Sequence, residues 1–163
     1  MTGTAEKDCG ACSLCCKLMG VKSIAKPPHQ WCGHFVRGRG CSIYADRPAE
    51  CIAFNCQWLK WPGLDGTWRP DRAGFVLHLE DEGRRLSVEV EPSRPQAWRR
   101  APFYRQLKTW AADGAGRGLE LYVWVGQRGF RVLPHEDVDL GVTRPDRSVA
   151  LAGADLRGDR GDG

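Results

Sequence analysis

All eight cysteines of this 163-residue chain fall between Cys9 and Cys56, and that confinement constrains the fold more than any other feature. The first four run C-x2-C-x2-C-C, at Cys9, Cys12, Cys15 and Cys16, and the rest follow at Cys32, Cys41, Cys51 and Cys56. The vicinal pair argues against disulfides, because adjacent cysteines bond each other only through a strained ring and their Cα atoms stand below the usual bridging distance. The opening "MTGTAEKDCG" has no apolar secretory core, and no run of eighteen apolar residues appears anywhere. The expectation is therefore a cytoplasmic protein without a membrane span. In a reducing compartment such a dense set of thiols reads as metal-binding or redox-active before it reads as a disulfide framework.

The first group converges on either backbone. In a helix, Cys9, Cys12 and Cys16 share a stripe with Cys15 about 100° away. In a loop, the C-x2-C step turns two thiolates onto one ion and leaves backbone N–H groups free to bond the sulfurs. In the second group, Gly38 and Gly40 permit the tight turn that delivers Cys41, and Ile43 and Tyr44 form a short apolar anchor. Asp46 and Pro48 suit a helix start, so a helix is expected from about Pro48 to Lys60. It would carry Cys51 and Cys56 roughly 140° apart, in different ligation positions unless the helix is short or distorted near Asn55. Arg47 is a candidate partner for a thiolate-bound metal, or an exposed arginine in a turn. His29 and His34 flank Cys32 and are possible substitutes for a cysteine ligand, although a histidine in a polar loop is more often simply exposed.

These residues carry a resemblance. The opening CxxCxxCC, the isolated Cys32 and the block "GCSIYADRPAECIAFNC" resemble the CxxCxxCC zinc- or iron-chelating domain family, the YkgJ-type cysteine-cluster proteins, over residues 9 to 56. The sequence departs from the family pattern at Ile52, where an arginine is usual. The resemblance extends distantly to the flagellin lysine N-methylases, which use a similar block to hold an iron–sulfur cluster. It implies ligation by all eight cysteines, with an iron–sulfur cluster favoured over zinc. Spacing alone separates neither, since both centres take four thiolates from C-x2-C presentations.

Charge is consistent with ligation. Through Pro62 the chain has eight Lys/Arg against four Asp/Glu, whereas residues 63 to 163 carry sixteen of each. The net +4 thus belongs to the cysteine region, where two four-thiolate centres of about −2 each would neutralise it. The basic balance is accordingly poor support for nucleic-acid binding.

Composition changes after "WPGLDG", and a boundary is expected near residues 62 to 68. Residues 63–142 then read as a small α+β extension to the cysteine region at 1–62. Apolar stretches at Phe75–Leu79 and Leu86–Val90 predict a hairpin turning at Gly83, and Leu119–Val125 with Phe130–Leu133 predict another around Gly126–Gly129. Trp98, Phe103 or Tyr104, Leu107 and Trp110 recur at near-helical spacing, interrupted at Pro102, with Gly114 as the stop. The fold class expected is α+β: a small metal-stabilised helical and loop region packed on a small antiparallel sheet with one main helix. From 143 the sequence is polar and rich in Gly, Asp and Arg, as in a disordered tail.

The extension shows no Gly-rich phosphate loop, no G-x-S-x-G and no H-E-x-x-H. Arg94, Arg99, Arg100, Arg105 and Lys108 among aromatics suit an acidic protein partner or single-stranded nucleic acid. An amphipathic helix with solvated arginines is the stronger expectation. The leading functional reading is a metal-binding cysteine-cluster protein whose reaction is unspecified. The alternatives are a structural zinc module that binds protein or nucleic acid, and an iron–sulfur-dependent methyl-transferring enzyme, weakened by a short chain with no recognisable adenosylmethionine site.

Overall fold

The computed structural model describes residues 12, 14–27, 29–53 and 56–143, without the side chains of 52 and 53. Cys9 and residues 144–163 of the expected tail lie outside the described residues. The architecture is α+β. A short helix α1 (Leu14–Leu18) opens the cysteine region, followed by a two-stranded ribbon, β1 (Phe35–Val36) and β2 (Gly40–Cys41), and by α2 (Ala49–Ala53) and α3 (Gln57–Lys60). The helix α4 (Pro70–Ala73) leads into β3 (Phe75–Glu80) and β4 (Arg85–Val90). The long helix α5 (Phe103–Ala115) precedes β5 (Glu120–Val125), β6 (Arg128–Val132) and β7 (Asp137–Val142).

The five strands lie in sequence order in one sheet, and its β4–β5 pair is parallel while the other pairs are antiparallel. The expected sheet is wholly antiparallel. The difference follows from α5, which returns the chain across the sheet before β5 begins, a crossover that only a parallel neighbour requires. Both expected hairpins form. The first turns through Asp81, Glu82 and Gly83, all at positive φ, and the second through Gly126, at φ 59°. The strand β7 answers to no expected element, although Val138, Leu140 and Val142 alternate with polar residues. Their side chains stay exposed on the last strand of the sheet, so the alternation marks an edge rather than a core face.

Registers and the two-residue period put Phe75, Leu77, Leu86, Val88, Val90, Leu121 and Val123 on one face. The α5 side chains Phe103, Leu107 and Ala111 are buried against this core, with the Phe75 and Phe103 rings 4.9 Å apart and nearly perpendicular. The helix begins after Pro102, as the sequence indicates, but does not stop at Gly114. It runs to Ala115, and Gly114 is buried where a Cβ would stand 2.8 Å from the Leu119 Cβ. This glycine serves close packing of the helix on the strand entry rather than termination. Arg94, Arg99, Arg100 and Arg105 are exposed, as expected, while Lys108 is half-buried, and three of these basic side chains also bond the fold. Arg94 donates to the Asp71 carbonyl at 3.1 Å, Arg99 reaches Asp137 at 3.3 Å, and Lys108 bonds the Leu133 carbonyl at 2.7 Å.

The cysteine region shares the core of the sheet. Leu14, Leu18, Met19 and Trp58 belong to the same buried cluster as Trp68, Phe75 and Leu107. The Trp61 ring of the cysteine region meets Trp110 of α5 at 5.4 Å between centres, and Trp68 packs 5.3 Å from the same Trp110. Residue 56 adds an isolated antiparallel bridge to His78 on the outer side of β3, so the thiol-bearing segment is tied directly to the sheet edge.

Candidate metal centre

The elements of the cysteine region are too short to be stable alone, and their common product is a cavity of about 90 Å³. Cys15 and Cys16 border it from α1, Cys41 from β2 and Cys51 from α2. Cys12, Cys32 and Cys56 reach it from the connecting segments, so all seven described cysteines line one space. None of them is in a disulfide.

Local backbone features explain the convergence. Gly38 at φ 79° and Gly40 at φ 88° make the ribbon turn that presents Cys41. The Cys32 amide donates to the Cys16 carbonyl at 3.0 Å, which draws the middle loop onto α1. The expected continuous helix from Pro48 to Lys60 is two short helices instead. Cys56 precedes α3 with φ −67° and ψ 110°, an extended conformation. That break removes the angular separation a single helix would impose, and Cys51 and Cys56 face the same cavity. His34 also borders the cavity, and its amide donates to the Cys32 sulfur at 3.5 Å. His29 is not among the lining residues.

The electrostatics are uneven. Burial pushes the Cys12 thiol up to about 11, against the opposing pull of the Asp71 and Leu14 amides that bond its sulfur. Burial also pushes Cys51 up to about 11, and negative charge on Cys16, Cys32 and Cys41 adds to the rise. The hydrogen bond from Cys15 brings Cys16 down to about 7, helped by the Lys26 ammonium. Lys26 is the one charged residue buried in the cavity wall among the described residues, 7% exposed. Its ammonium donates to the carbonyls of Met19, Lys17 at 3.2 Å and Pro27 at 3.1 Å. Burial pulls this ammonium below its ordinary value, while thiolates at Cys32, Cys16, Cys15 and Cys51 pull it back up. Nothing in the sequence distinguishes Lys26 from its neighbours Lys17 and Lys22. Only the fold shows it as the cation among the thiols.

No protein-family model, curated protein or solved structure matches the chain. The site therefore has to be read from its own chemistry. Among the described residues no three cysteine sulfurs lie within 4.8 Å of one another. A closed tetrahedral zinc site, with Zn–S near 2.3 Å, holds its sulfurs about 3.8 Å apart. Arg47, the other candidate for charge pairing, borders the cavity, with its guanidinium 3.9 Å from the Tyr44 ring centre and bonded to the Tyr44 carbonyl at 2.8 Å.

Proposed function

We propose that this chain is a metal-binding cysteine-cluster protein whose cavity holds an iron–sulfur cluster. The observation that carries the reading is the meeting of seven cysteines, from three elements and three connecting segments, around one cavity. Soft thiolate donors select zinc, copper(I) or iron–sulfur centres, and the spread of the sulfurs favours the polynuclear choice. Cys16, Cys32, Cys41 and Cys51 are the proposed ligand set, because the Cys51 thiol feels the charge of each of the other three. Cys12, Cys15 and Cys56 line the same wall, and Cys9 completes the motif. The resemblance to the CxxCxxCC family, carried by the same cysteines, points the same way.

The chain's own residues supply what such a centre needs. The His34 amide on the Cys32 sulfur and the Lys26 ammonium beside four thiols both stabilise thiolate charge. Met19, Val21, Ile24 and Ile43 on the wall keep the surroundings apolar, which strengthens those interactions. When bound, the cluster would supply one-electron chemistry. No described helix is long and apolar enough to cross a membrane.

The test is purification without oxygen, with visible absorption and assays of iron, zinc and acid-labile sulfide. Broad absorption at roughly 400 nm with matching iron and sulfide is expected, together with its loss in Cys16→Ser. A colourless protein with stoichiometric zinc would overturn the reading and make the centre structural.

A further inference from the structure

A second group of ligand-type side chains lies on the β3–β4 hairpin, outside the cysteine cavity. His78 and Glu80 are two apart on β3, and Glu89 stands on β4 opposite Val76. The period of two puts all three on the sheet face opposite the α5 core. Despite that placement they are not solvated. His78 and Glu89 are each 5% exposed, and the Glu80 side chain 12%. One ligand atom from each lies within 4.8 Å of the others.

We propose that His78, Glu80 and Glu89 form a mononuclear site for a divalent first-row cation of the Mn2+, Fe2+ or Zn2+ type. Two ring nitrogens face two carboxylates, with His78 Nε2 at 3.3 Å from Glu89 Oε1 and Nδ1 at 3.5 Å from Glu80 Oε1. The Nε2–Glu89 contact is a buried hydrogen bond, and both separations are longer than the roughly 2.7–2.9 Å of a tight charge-assisted one. They approach the edge of a coordination polyhedron with metal–ligand bonds near 2.1 Å, about 3.0–3.4 Å. A cation on either ring nitrogen therefore has a carboxylate oxygen as its neighbouring ligand. The remaining carboxylate offers an oxygen within 4.8 Å of both, so one ion can draw a ligand atom from each of the three residues. The Ser87 hydroxyl donates to Glu80 Oε2 at 3.0 Å, which orients the carboxylate whose other oxygen faces His78.

Donor type separates this site from the thiols. Imidazole and carboxylate suit a single, harder divalent cation better than a ring of cysteines does, so the two sites differ in the kind of centre they would hold. They are also adjacent, since residue 56, whose side chain lines the cysteine cavity, bridges to His78 through the backbone. The proposal does not depend on which metal the cysteines hold.

The test compares full-length wild type with Glu89→Gln, both purified without oxygen. Total Mn, Fe, Zn and sulfide are measured first, and the protein is then titrated with Mn2+ while the free ion is read by electron paramagnetic resonance. Wild type is expected to carry, or to take up, one equivalent that Glu89→Gln lacks or binds at least about 10-fold more weakly, with sulfide and visible absorption unchanged. Ser87→Ala retains all three ligands and gives the same comparison should Glu89→Gln be insoluble, with about a 10-fold weaker uptake expected. Equal totals and equal Mn2+ affinity in wild type and variant would overturn the proposal, as would a wild type that neither carries nor takes up the extra equivalent.

Discussion

Lys26→Met removes the buried cation of the cysteine cavity while keeping a side chain of similar length. Its ammonium bonds three backbone carbonyls, those of Met19, Lys17 and Pro27, and methionine leaves all three without that donor. At about 1 kcal/mol for each acceptor stranded near the interior, the loss is about 3 kcal/mol. The ammonium's own desolvation, visible in its lowered pKa, is relieved by the substitution and keeps the figure from rising further. For a domain of this size about 3 kcal/mol corresponds to a fall in Tm of about 6–12 °C. Electrostatics add a second readout. Lys26 helps to hold Cys16 down at about 7, so the variant's Cys16 should titrate higher and the protein should retain less metal. The assays are thermal unfolding of the metal-loaded protein and metal content after a fixed exposure to chelator. A Tm within about 2 °C of wild type, with equal metal retention, would refute the assignment of Lys26 as both the pin of this loop and the counter-charge of the thiols.

Further outcomes follow from the same contacts. In metal-free protein, alkylation followed by mass spectrometry should modify Cys16 with a midpoint near pH 7, while Cys12 and Cys51 stay protonated and unreactive until pH approaches about 11. The sign follows from the reactive species: thiolate forms above the pKa, so Cys16 reacts first as pH rises, and simultaneous modification of all three would contradict the geometry. Metal uptake must deprotonate Cys51, so affinity for a thiolate-bound metal should climb with pH through the neutral and alkaline range, as a competition titration would show. Asp137→Ala frees Lys108, which lies 2.5 Å from the carboxylate, and the Tyr104 hydroxyl, at 2.7 Å. It should lower stability by about 2–3 kcal/mol in urea unfolding, whereas an unchanged midpoint would show that β7 is not anchored by this group.

The sequence itself determined the donor types available in the first third. Cysteine spacing, the Gly38 and Gly40 turn and the Pro102 interruption are local features, and local sterics and thiol chemistry suffice to read them. Both hairpins were legible for the same reason, because alternation and a turn glycine act over a few residues. Gly114 looked like a helix stop because its role depends on Leu119, a partner that helix periodicity does not reveal. The expected Pro48–Lys60 helix failed at Cys56, where an extended residue bridging to His78 lets Cys51 and Cys56 share a cavity. Tertiary structure alone decided that seven thiols from scattered segments surround one space, that Lys26 rather than Lys17 or Lys22 is the cation among them, and that β4 and β5 run parallel. His78 and Glu80 could have been paired from their i, i+2 spacing. Glu89 joins them only through the register of β3 on β4, and burial of that face depends on contacts between residues far apart in the chain. Donor type is a property of side chains, and so is written in the sequence. The distances between those side chains are set by packing, and only the fold fixes them.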